Sequence, residues 1–174
     1  LEVGVDISLH AGTKYIVGHS DAMLGALVCS EPYYETLRRQ AGAFGYSTGP
    51  DDVYLALRGL RTLDVRLRRH EANALRVAEW LCGRAEVARV LHPALPGDPG
   101  HALWKRDFAG SSGLFGVELK PVPREAVAAL LDGLSYFGMG YSWGGYESLI
   151  VPTFPGKFRS AVPWTAEGPT LRLH

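Results

Sequence analysis

Little in this sequence points to nucleic acid, membrane or metal. Acidic and basic side chains cancel, 18 against 18, so there is no excess positive charge to attract nucleic acid or an anionic membrane. No apolar run approaches the length needed to span a bilayer. Only two cysteines are present, Cys29 and Cys82, each in an apolar stretch. They read as buried free thiols rather than a disulfide or a metal pair. His92 and His101 have no cysteine or carboxylate at metal-ligand spacing. The start, Leu1-Glu-Val-Gly-Val-Asp6, has neither the basic region nor the cleavage site of a signal peptide. A cytoplasmic location is the default expectation. Lysine is scarce as well: four lysines stand against fourteen arginines.

What remains is 47% hydrophobic and 21% charged, the balance of an ordinary globular protein. Its 174 residues suffice for one substantial domain or pieces of two. Val3 to Leu9 alternates as a strand, and Met23 to Cys29 reads as a second. Glu31 to Gln40 reads as a helix, with Ser30 a candidate N-cap and Pro32 suited to the first turn. After a glycine-rich connection, Asp51 and Asp52 begin another helix with acids at its positive end. Leu60, Leu63, Leu67, His70, Ala74, Val77 and Leu81 then recur at three and four residues, a long helix with one buried stripe. The arginines around it read as a solvated face, and His70 as a core or interface histidine. Val87 to Leu91 and Leu114 to Leu119 read as strands, with the proline–glycine loop 92–100 after the first. Pro123 opens a helix that runs through Leu131, with Gly133 as its stop. Leu134 to Met139 reads as a strand. The alternation predicts α/β structure at the start and α+β structure later.

One lysine has a suggestive setting. Lys14 lies between the first two strands, flanked by Thr13 and Tyr15, with Gly18, His19, Ser20 and Asp21 beyond it. In a partly dry pocket a lysine amine can lose its proton and form a Schiff base with an aldehyde. By spacing alone a solvated loop lysine is the stronger reading of Lys14, and Thr13 is equally readable as a turn hydroxyl bonding its own backbone. Arg172, in Leu171-Arg-Leu173, could be the exposed face of a strand, and Trp143 a core aromatic.

Thr13-Lys14-Tyr15 followed by Gly18-His19-Ser20-Asp21 resembles the pyridoxal-phosphate lysine loop of the transsulfuration enzymes. Asp6-Ile-Ser8 and Ala22-Met-Leu-Gly25 extend the likeness. Gly59-Leu-Arg-Thr-Leu63, the stretch from Trp104 to Phe115, and Tyr141-Ser-Trp-Gly-Gly-Tyr-Glu-Ser-Leu-Ile150 are similar to segments of the same family. Trp143 in the last of these favours the β-lyase branch over the γ-lyases and γ-synthases.

The resemblance implies an aspartate-aminotransferase-like (type I) pyridoxal-phosphate fold. Residues 1–60 would be the end of the large cofactor domain, and 61–174 the smaller C-terminal domain. With no initial methionine and a last segment that reads as an unfinished strand, the chain is expected to be the C-terminal portion of a longer enzyme. The implied cofactor is pyridoxal 5′-phosphate, held by Lys14 with Thr13 as a phosphate donor. Ala11 stands where much of the family has a serine donor. Ser142 and Trp143 match residues beside the substrate carboxylate, and Arg172 matches the arginine that binds it; a guanidinium suits a carboxylate through two parallel charge-assisted bonds. The implied substrate is a small amino acid, with L-cystathionine cleaved by α,β-elimination to homocysteine, pyruvate and ammonia. The implied assembly is a homotetramer with active sites shared between subunits. A non-catalytic truncated paralogue is the alternative from another class.

Overall fold

A computed structural model describes residues 3–174. Leu1 and Glu2 lie outside the described residues. The first strand starts later than its alternation suggests. Gly4 has φ +88°, a left-handed turn, and β1 (Ile7–Ala11) follows it. β1 pairs antiparallel with β2 (Gly25–Cys29), with Leu9 opposite Leu27. β2 also starts late, because both main-chain groups of Leu24 are bonded to Thr13. α1 (Glu31–Ala43) begins with Pro32 in its first turn. Ser30 occupies the N-cap position in extended conformation but makes no side-chain cap bond. α2 (Pro50–Arg61) carries Asp51 and Asp52 at its start and Arg58 and Arg61 at its end, both matched to the helix dipole.

The apolar period predicted from Leu60 to Leu81 does not belong to one helix. Thr62 ends α2, its hydroxyl donating to the Gly59 carbonyl at 3.1 Å, and α3 (Leu63–Cys82) starts afresh. The chain divides at this point into two compact units, Leu1–Leu63 and Asp64–His174. The first has a small core of Val17, Ala22 and Ala56.

The second unit is a five-stranded mixed sheet covered by helices. Its strands run β3 (Val87–Leu91), β4 (Phe115–Leu119), β7 (Thr170–Leu173), β6 (Leu149–Thr153), β5 (Gly138–Met139) across the sheet. All neighbours are antiparallel except β5 and β6. Ala74 and Ala78 of α3 and Val127 and Leu131 of α5 (Arg124–Asp132) pack with Val90, Val117, Ile150, Leu171 and Leu173 of the sheet. Ala78 is fully buried, so α3 lies close against the strands.

Neither α4 (His101–Asp107) nor β6 is among the elements predicted from the sequence. The predicted strand at Leu134 shrinks to Gly138–Met139, because the Leu134 amide still bonds back to Leu131 at the end of α5. The cysteines are free but not buried as expected: Cys82 is exposed at the end of α3 and Cys29 is half-buried. No helix among the described residues is long and apolar enough to cross a membrane.

Candidate active site

Lys14 sits in a tight helical turn between β1 and β2. Its amide donates to the Ala11 carbonyl at 3.0 Å, and its own carbonyl accepts from the Gly18 amide at 2.8 Å. The Val17 amide closes the same turn on the Gly12 carbonyl at 3.0 Å. Val17 is buried beneath it, anchoring the turn in the small core. Gly18 leaves the turn at φ +76° and Ser20 at φ +58°, so the exit path is left-handed twice within three residues. His19 donates from Nδ1 to the Val17 carbonyl at 2.8 Å. The side chain of Lys14 is half-buried.

Thr13 ties the turn to the start of β2. Its Oγ1 accepts from the Leu24 amide at 3.1 Å, and its amide donates to the Leu24 carbonyl at 3.3 Å. A hydroxyl that accepts still has its own proton to give. Ala11 contributes through its carbonyl, since its methyl group offers no hydrogen bond. These three predicted residues therefore form one structure. An amine and a hydroxyl donor on a rigid turn suit an aldehyde that carries a phosphate, and the donor set fits pyridoxal 5′-phosphate.

In the second unit, Arg172 lies at mid-strand on β7, opposite Gly116 on one side and Val151 on the other. Its Nη2 donates to the Tyr141 carbonyl at 2.6 Å and lies 3.4 Å from the carbonyls of Gly140 and Ser142. Its guanidinium stands 5.3 Å from the centre of the Trp143 ring, a cation–π arrangement. Nη1 and Nε make no hydrogen bond among the described residues, so donors remain for an incoming carboxylate. Arg172, Ser142 and Trp143 are all half-buried. The structure thus brings these three predicted residues together.

Three residues around this cluster were not singled out for it. His174 accepts the Gly144 amide on Nε2 at 3.0 Å. Its ring lies 5.0 Å from that of His70. Glu71 accepts from the amide and hydroxyl of Ser111, at 2.8 and 3.2 Å, tying the family-like stretch after Trp104 to α3. The two-residue spacing of Arg172 and His174, which puts both on one side of a strand, was the available signal for His174.

Comparison with known proteins gives these features a context. The family described as Cys/Met metabolism PLP-dependent enzyme matches residues 1–163. The cystathionine beta-lyase of Escherichia coli (strain K12) is 51% identical over 178 residues, covering 100% of this chain and 45% of the relative. That of Salmonella typhimurium is 52% identical over 164 residues, 94% of this chain and 42% of the relative. A solved structure of cystathionine gamma synthase from Xanthomonas oryzae pv. oryzae, in complex with aminoacrylate and cysteine, is also similar. It superposes with a TM-score of 0.85 at 42% identity, over 99% of this chain and 46% of that one. The chain belongs to the pyridoxal-phosphate-dependent enzymes of cysteine and methionine metabolism, and its fold is theirs. It spans about 45% of the length of the curated relatives it matches.

Proposed function

We propose that this chain is part of a cystathionine β-lyase, cleaving L-cystathionine by α,β-elimination to homocysteine, pyruvate and ammonia. What carries the proposal is the 51% identity to the Escherichia coli lyase over the whole chain, a span that takes in both the lysine turn and the arginine cluster. When bound, pyridoxal 5′-phosphate supplies an aldehyde and a ring that stabilises negative charge on a substrate carbon. Lys14 Nζ would hold that aldehyde covalently, and its freed amine would be the base that takes the substrate Cα proton. Thr13 donates to the phosphate. Arg172 binds the substrate carboxylate through its remaining donors, with Ser142 and Trp143 beside it. The carbon–sulfur bond breaks and the sulfur leaves as homocysteine with a proton. Water then hydrolyses the three-carbon remainder to pyruvate and ammonia.

In this reading residues 1–60 are the end of the cofactor domain and 61–174 the smaller domain, bounds that lie close to the division of the chain into compact units after Leu63. The enzyme works in the cytoplasm as a homotetramer. The similarity to a gamma synthase supports a second reading, a γ-synthase or γ-lyase of the same family. Product analysis separates the two: pyruvate from cystathionine supports the β-lyase, and 2-oxobutyrate overturns it. The test of the site is an absorbance titration with pyridoxal phosphate at full natural length. A visible band is expected in the parent and none in Lys14→Ala; equal spectra would exclude Lys14 as the anchor.

A further inference from the structure

We propose that His174 is a positioning residue, a latch that holds loop 140–147 so that Ser142, Trp143 and Arg172 together present one carboxylate site. The inference rests on the reading in which that loop binds the substrate carboxylate. β7 and the residue that follows it grip the loop at two points. Arg172 holds the carbonyls of residues 140–142, and His174 holds the amide of Gly144. Gly144 has φ +81°, so the loop reverses there in a conformation that favours glycine. Its amide is buried, and an unsatisfied donor in such a place would be unfavourable. The acceptor is an imidazole nitrogen, which can accept only when the ring is neutral.

The surroundings of His174 keep it neutral. On α3, the ring of His70 faces it, with Arg66 beside His70. On β7 Arg172 adds a positive charge, and from the loop Glu147 opposes it with its main chain and carboxylate. Burial and then His70 are the largest influences, and both hold His174 below the ordinary histidine value. Gly113 closes the space from the other side: a Cβ there would lie 3.2 Å from both His174 Nε2 and His70 Cβ. The ring therefore has little room to turn away from Gly144. Protonation would set an N–H against the Gly144 N–H and release the latch. Substrate affinity would then fall on the acid side.

The test compares His174→Gln and His174→Leu with the parent at full natural length. Glutamine can offer Gly144 an oxygen that does not titrate; leucine fills the space with no acceptor. Hydrogen–deuterium exchange of the peptide containing Gly144 reads the latch without any activity. The parent peptide should be protected at neutral pH and lose protection, after correction for intrinsic rates, as acid protonates His174. The leucine variant should be open at both pH values and the glutamine variant protected at both. In turnover of cystathionine, leucine should raise KM roughly two- to tenfold, the worth of one hydrogen bond, with kcat nearly unchanged. Glutamine should restore KM and flatten its acid limb. Parental exchange in the leucine variant, or altered exchange with parental KM, overturns the proposal. If leucine prevents folding, the glutamine variant and the parent's own pH dependence decide it. A parent that takes up cofactor but does not cleave cystathionine sinks the lyase assignment, and the exchange pattern still decides the latch.

Discussion

Arg172 illustrates how one side chain can divide its donors. One nitrogen of the guanidinium fixes the loop carbonyls, and in the proposed function the other two would bind the substrate carboxylate. A lysine keeps the charge but loses the fork, so it can satisfy only part of this set. Arg172→Lys is therefore expected to raise KM for cystathionine about tenfold or more, the scale of a charge-assisted hydrogen bond. Steady-state kinetics checks this, and an unchanged KM would remove Arg172 from carboxylate binding. Pattern alone could not have chosen this residue, because Leu-Arg-Leu reads the same on any half-exposed strand. Family likeness chose it, and the structure gave it company. His174 escaped notice because its role depends on a loop amide thirty residues away in sequence.

At the scale of elements, Gly59 of α2 matters for what passes over it. A Cβ on Gly59 would run into the carbonyl oxygens of Ile16 and Val17, the far side of the lysine turn. Gly59→Ala should destabilise the protein by about 1–3 kcal/mol through overpacking, and displace Lys14 with it. Weaker uptake of pyridoxal phosphate and a lower unfolding midpoint are the expected readouts. Gly42, in α1, is the contrast: nothing lies within 4 Å of its would-be Cβ. Gly42→Ala should stabilise the helix by about 0.5–1 kcal/mol and leave cofactor uptake alone. Helix starts marked by Pro32 and the paired aspartates were legible, because their signals are local. The break at Thr62 was not, because Leu60 and Leu63 keep the apolar period running across it. Nor was α4, which has only seven residues and follows a proline–glycine loop.

Over the whole molecule, the sequence reveals the strands better than their order. Nothing local tells that the last strand, β7, lies between β4 and β6 at the centre of the sheet. That placement puts His174 beside α3 and shapes the acid response of the second unit. Three of its histidines, His70, His92 and His174, are held below the ordinary value near 6.5, each chiefly by burial. His92 is 2% exposed, and its Nδ1 accepts the Ala94 amide at 3.2 Å. Its Nε2 has no hydrogen-bond partner among the described residues, which suits an uncharged ring. On unfolding, each imidazole returns to its ordinary value and takes up a proton that the folded unit resists. This contribution to stability is complete above about pH 6.5 and is lost as the pH falls toward the depressed folded values. Each proton adds a slope of at most about 1.4 kcal/mol per pH unit, so three give at most about 4. Tryptophan fluorescence can follow this unit selectively, since Trp80, Trp104, Trp143 and Trp164 all lie within it. Its urea midpoint should drop steeply between about pH 7 and pH 5, above the main range of carboxylate titration. Equal midpoints at the two pH values would mean that the folded unit accepts these protons as readily as the unfolded chain, and that burial of the three rings does not oppose their charge.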